Sequence, residues 1–139
     1  SDVCSSDLAA AKRMVEPAGG LFSTAADMGR FYAMVANGGE LDGKRILSEA
    51  AVKEMVTPVS AGGKPITYAL GWQCCTEANA KMSPFGPGTF GHGGAFGTNG
   101  WVDMKRKIAT VYLVQNVLVP QGGKAKDVFQ RLVLEAAGE

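Results

Sequence analysis

The chain has 139 residues, 46% apolar and 19% charged, the make-up of one soluble globular domain able to bury a core. Its 14 basic and 13 acidic residues leave a net charge of +1, and the basic ones are scattered along the chain, which excludes a nucleic-acid footprint. The longest apolar runs are a few residues, so the chain holds no membrane segment of the helical kind, and no signal-peptide pattern is visible.

Ser1 to Leu8 (SDVCSSDL) follows neither hydrophobic period and resembles a translated sequencing adapter, so residues 1–8 are read as a non-native or disordered N-terminus. Ala9 to Val15 reads as a short helix, or as the tail of one that began upstream, closed by Pro17, with a turn at Gly19 and Gly20. Thr24 as N-cap with Asp27 three residues on predicts a helix to about Ala36. In it Met28, Phe31, Tyr32 and Val35 share a face, and Asn37-Gly38 supplies the left-handed stop. Gly39 to Leu47 is expected to be a small hairpin or loop turning at Asp42-Gly43 and anchored by Ile46 and Leu47. Ser48 then caps a short helix with Ala51, Val52 and Met55 inward, ended by Pro58. Ser60 to Lys64 reads as a loop.

The second half reads as strands over Tyr68 to Gln73, Thr89 to Phe96, Asn99 to Met104 and Ile108 to Asn116. Both faces of the last are apolar, as expected of a central strand, and Asp103 to Lys107 reads as a solvated, charged turn before it. After Gly122-Gly123 a closing helix is predicted to lay a stripe of Val128, Phe129, Leu132, Val133 and Ala136 on the sheet. Helices, then antiparallel strands, then a helix define an α+β fold with helices flanking one partial sheet, whose open edge requires a partner strand. Cys4, Cys74 and Cys75 form an odd set without a C-x-x-C pair, and one histidine cannot complete a zinc site with them.

Gly88 to Gly100 (GTFGHGGAFGTNG) packs six glycines into a strand-like setting. Glycine weakens a strand, and it belongs there where a ligand or a second backbone must come close or where the chain bends. The one histidine of the chain, His92, sits in the middle. An imidazole beside Gly93 and Gly94 suits action on a bound carbonyl or carboxylate; the plainer reading is a histidine that caps a tight bend.

GHGGAFGT, the following Trp-Val-Asp strand and the apolar IATVYLVQN resemble the C-terminal region of class C β-lactamase-like serine hydrolases, a group that includes esterases and D-aminopeptidases. PAGGLFSTAADMGRFYAMVANGG, a Leu-Ser-Glu helix and Tyr-Ala-Leu-Gly-Trp occur upstream in the same order, so the resemblance covers about Glu16 to Gln115. It implies that His92, Gly93 and Gly94 stand as the H-x-G form of the third active-site motif. It also implies that the Ala95 amide donates to an oxyanion hole, that Gly93 and Gly94 admit substrate, and that His92 polarises or positions it. The His form argues mildly against an efficient β-lactamase.

The nucleophile motif S-x-x-K of that family is missing. Ser6, Ser23, Ser48, Ser60 and Ser83 are followed three residues on by Ala9, Ala26, Ala51, Gly63 and Gly86. Its tyrosine motif, Y-x-N, is missing as well, and so is a G-x-S-x-G elbow. Ser23 and Thr24 are read as helix caps, and Trp72 and Trp101 as core.

The resemblance thus implies that residues 9–139 are the C-terminal part of a β-lactamase-related domain, inactive alone, from a hydrolase that works through an acyl-serine on ester, amide or β-lactam bonds. Its partner is a small-molecule or peptide substrate, with no nucleic acid, and neither metal nor organic cofactor is needed. The alternatives are a non-catalytic module of the same fold that binds a peptide or acyl ligand, and an unrelated α+β interaction domain. Oligomeric state and compartment are not legible, although the family is often periplasmic or secreted.

Overall fold

The computed structural model describes residues 22–61, 64–65, 67–116 and 123–138. The readings of residues 1–8, of the helix at Ala9 to Val15 and of the Gly19-Gly20 turn lie outside these residues.

Helix α1 (Ala25–Ala36) starts where the sequence places it, with Thr24 Oγ1 accepting from the Asp27 amide at 3.1 Å. It ends in a Schellman-type stop, in which Gly38 adopts φ 67° and the Gly39 amide donates back to Met34 O at 2.9 Å. Strands β1 (Glu40–Leu41) and β2 (Lys44–Arg45) form the predicted hairpin. Asp42 and Gly43 both take positive φ, 51° and 72°, the type I′ geometry that matches strand twist. Of the two apolar anchors expected there, Leu47 packs against the core and Ile46 is exposed. Helix α2 (Glu49–Val56) is capped by Ser48, whose Oγ accepts from the Ala51 amide. It buries Val52 and half-buries Met55, while Ala51 faces out.

Ser60 to Lys64 is not a plain loop, because β3 (Ser60–Ala61) and β4 (Lys64–Pro65) pair antiparallel. The main sheet has the order β5 (Gln73–Cys74), β6 (Phe90–Gly93), β7 (Asn99–Asp103) and β8 (Ile108–Tyr112), antiparallel throughout. Tyr68 to Gln73 is a tight turn closed by a single Tyr68–Gln73 bridge, because Gly71 at φ 79° folds the segment back. A short 3-10 helix (Glu77–Met82) links β5 to β6.

The sheet divides two clusters. On one face Tyr32, Met34, Val35, Val52, Trp72, Phe90 and Val102 pack together beneath α1 and α2. On the other, Cys75, Phe85 and Trp101 meet Ile108, Val133 and Leu134, the last two from helix α3 (Gly123–Ala136).

Four further expectations need correction. Strand β8 is covered by α1 and α3, which accounts for its two apolar faces, yet it ends the strand order among the described residues. Helix α3 is rotated from the predicted stripe. Val128 and Leu132 are 45% and 51% exposed, whereas the Phe129 ring packs at a tilt of 36° against Tyr112 and the polar Gln130 is buried. The reason is a hydrogen bond from Gln130 Nε2 to Asn99 Oδ1 at 2.8 Å, which lets an amide occupy the inward face. Asp103, assigned to a solvated turn, is buried. Its carboxylate accepts from the Lys105 and Arg106 amides and from Arg106 Nη1 at 2.6 Å. Finally, Ser23 does not cap α1; its hydroxyl reaches only Thr24 O, at 3.5 Å.

Candidate active site

The glycine-rich stretch folds as β6, a tight turn and β7. Gly91 lies opposite Trp101, His92 opposite Gly100 and Gly93 opposite Asn99. At three positions the glycines are demanded by space. A Cβ at Gly91 would stand 2.0 Å from Gly100 O, one at Gly94 2.1 Å from Thr98 Oγ1, and one at Gly100 2.2 Å from the Tyr32 ring. These glycines therefore serve close approach of backbone to backbone and of ring to backbone. The turn is closed by the Gly94 amide on Thr98 O (2.8 Å) and the Gly97 amide on Gly94 O (3.1 Å). Ala95 is exposed at the start of that turn, and its amide has no acceptor among the described residues.

Alternation along β6 puts His92 on the face of Phe90, the side of α1. The imidazole is exposed, and its Nδ1 lies 2.6 Å from Gly93 O. A carbonyl oxygen only accepts, so the neutral ring carries its proton on Nδ1 and leaves the Nε2 lone pair open. The Tyr68 ring meets the imidazole edge-on, with centroids 5.9 Å apart.

His92, Gly93 and Gly94 line one open groove of about 680 Å³. Ser23, Met28 and Tyr32 line its α1 side, Gly100 and Val111 its floor, and Leu113 to Gln115 the far wall. Three of the four residues singled out in the sequence thus meet in one concavity, with Ala95 next in the chain. Burial pushes the Tyr32 phenol up from its ordinary value, so it stands there as a neutral hydroxyl. Pairing with β5 reaches only Phe90 and Gly91, so the outer edge of His92 and Gly93 has no strand partner among the described residues.

Sequence reasoning missed Tyr68, Thr98 and Tyr32. Thr98 was findable, since a residue four places after Gly94 faces it across the turn. Tyr68 lies 24 positions from His92 and carries no local signal. No group of three or more metal-ligating side chains gathers among the described residues.

An antiparallel sheet packed between helices is the arrangement of a β-lactamase-type domain. The family model for beta-lactamase matches residues 2–135, and the chain belongs to that family. It is 32% identical over 114 residues to the esterase/beta-lactamase LipL of Mycobacterium tuberculosis, covering 75% of this chain and 24% of LipL. Among solved structures it resembles a family VIII carboxylesterase, with TM-score 0.61 and 23% identity over 79% of this chain and 30% of that one. It also resembles a penicillin-binding protein homolog from Caulobacter crescentus, with TM-score 0.55 and 24% identity over 68% and 27%. The chain therefore spans about a quarter of LipL and under a third of either structure.

Proposed function

We propose that residues 9–139 act as the C-terminal portion of a serine hydrolase that cleaves ester, amide or β-lactam bonds through an acyl-serine intermediate. In this reading the reacting serine and its lysine come from sequence outside these 139 residues. The observation that carries it is the end of β6, where an open Nε2 on His92 and an Ala95 amide without an acceptor flank an edge that has no strand partner among the described residues. The Ala95 N–H stabilises the oxyanion of the tetrahedral state, a role worth a few kcal/mol per donor. Gly93 and Gly94 let the scissile group lie against the strand. His92, a catalytic residue in this scheme, accepts or returns a proton through Nε2, or hydrogen-bonds the substrate there. Membership of the β-lactamase family and likeness to an esterase/beta-lactamase support the reaction class, while the choice among ester, amide and lactam is left to the assay.

The experiment is to treat the full-length protein with a chromogenic short-chain ester, a chromogenic cephalosporin and a fluorophosphonate, and to locate the labelled serine by peptide mass spectrometry. Turnover with label on a serine outside residues 1–139 is expected, together with no label on this chain when it is made alone. Label on a serine inside these residues would contradict the scheme. Saturable binding of a peptide or acyl ligand with neither label nor turnover would favour the non-catalytic module.

A further inference from the structure

Tyr68 is the least expected neighbour of His92, and it is held from several directions. Its carbonyl accepts from the Val59 amide at 3.0 Å. On either side of it, Thr67 O accepts from the Cys74 amide (2.7 Å) and the Ala69 amide donates to Trp72 O (2.9 Å). The backbone at Tyr68 is thereby tied to β5, and β5 pairs with β6 at Gly91, one residue from His92. The side chain is tied as well, because Gln73 Nε2 donates to the Tyr68 hydroxyl at 2.7 Å, fixing where the ring stands. From that position the ring meets the imidazole at an interplanar angle of 61°. Tyr68 is nevertheless 39% exposed as a residue, so these ties are not explained by core packing.

We propose that Tyr68, clamped by Gln73, is a positioning residue that holds the His92 ring in the rotamer that keeps Nδ1–H on Gly93 O and presents Nε2. His92 on an exposed strand end has room to turn; a hydrogen bond to the next residue's carbonyl closes a small loop that competes with water. An aromatic edge against the imidazole removes the alternative rotamers without adding a competing acceptor at Nδ1. The hydroxyl of Tyr68 takes the Gln73 proton on its oxygen, so the ring is anchored from its far end. Only the kinetic part of this inference rests on the hydrolase reading; the positioning itself is a property of the imidazole.

The test is 15N NMR of the full-length protein labelled at histidine, at a pH where the imidazole is neutral, with the His92 signals assigned by their loss in His92→Asn. In the wild type, Nδ1 is expected at a pyrrole-like shift and Nε2 at a pyridine-like shift. Tyr68→Leu and Tyr68→Ala should move the two shifts toward each other as tautomers mix, whereas Tyr68→Phe and Gln73→Leu, which keep the ring and remove its anchor from opposite sides, should both fall between these and wild type. With an ester substrate, Tyr68→Leu should lower kcat about tenfold and change KM by less than about twofold, with Tyr68→Phe and Gln73→Leu falling between Leu and wild type. Wild-type-like His92 shifts in Tyr68→Leu, or a wild type already carrying its proton on Nε2, overturn the proposal. A raised KM with unchanged shifts would also overturn it, making Tyr68 a substrate contact. Shifts that move as expected in a protein without turnover would leave the positioning standing and refute the hydrolase reading instead.

Discussion

Replacing Gly100 by alanine should destabilise the domain through a single identifiable collision. The new Cβ would lie 2.2 Å from Tyr32 Cε2, 2.7 Å from its hydroxyl oxygen and 2.8 Å from Cζ. To restore ordinary contact at 3.4 Å the ring must retreat by about 1.2 Å, the difference between 3.4 and 2.2. It has little room to do so, because Phe31 and Trp72 flank it with centroids at 5.8 and 5.4 Å. Overpacking of this kind costs roughly 1–3 kcal/mol. For a chain of this size that is a fall in Tm of roughly 3–10 °C, measurable by thermal or urea unfolding. Partner variants separate this collision from a general intolerance of the strand. Tyr32→Phe keeps Cε2 and Cζ and should give no relief, whereas Tyr32→Leu withdraws the ring and should make Gly100→Ala nearly neutral in its background. A double-mutant cycle should therefore give a favourable coupling of at least about 1 kcal/mol with Leu and near zero with Phe. A neutral Gly100→Ala, or equal coupling with both, would show that the ring does not rest on Gly100 and would undo the account of the groove floor.

Three further predictions follow from particular groups. Burial by itself pushes the Asp103 carboxyl up, but the Arg106 guanidinium and the Arg106 and Lys105 amides outweigh it and hold the group below its ordinary value. A lowered carboxyl contributes stability that is present above its unfolded pKa and lost as pH falls toward its folded one. Asp103→Asn should cost about 1–3 kcal/mol near neutrality, and its deficit should shrink as unfolding is measured in progressively more acid buffer. Cys74 and Cys75 are free and buried, and burial pushes the Cys74 thiol up, so a colourless-to-coloured disulfide reagent should reach both only as the protein unfolds. Because the His92 imidazole is exposed, His92→Ala should leave the unfolding free energy within about 0.5 kcal/mol of wild type, and under the proposed hydrolase scheme it should lower kcat/KM of the full-length protein on its best substrate by about 100-fold or more.

What the sequence made legible was mostly local. Thr24, Asn37-Gly38, Asp42-Gly43 and Ser48 announce caps and a turn whose hydrogen bonds close within five residues, so nothing distant can override them. The glycines of Gly88 to Gly100 were legible as a place of close approach, but not which neighbours come close: Tyr32 reaches Gly100 from another element. Periodicity failed where a polar group moved inward with its partner. Gln130 is acceptable on the buried face of α3 only because Asn99 waits on β7, and Asp103 is acceptable in the interior only because Arg106 and two amides surround it. The rank of β8 in the sheet was hidden for a different reason, since helices on both faces produce the same apolar pattern whether or not a strand lies alongside.

The turn between β7 and β8 also reaches α1, the helix that lines one side of the groove. Lys107, in left-handed conformation at φ 58°, sends Nζ across to Ala36 O, the last residue of α1, at 2.8 Å. With Tyr32 seated on Gly100, this clamps the C-terminal half of α1 to the sheet, while Met28 and the preceding Ser23 at the other end form the groove's α1 side. In mechanical terms α1 is riveted to the sheet at two points of its C-terminal half, one rivet sent up from the sheet by Lys107 and one sent down from the helix by Tyr32.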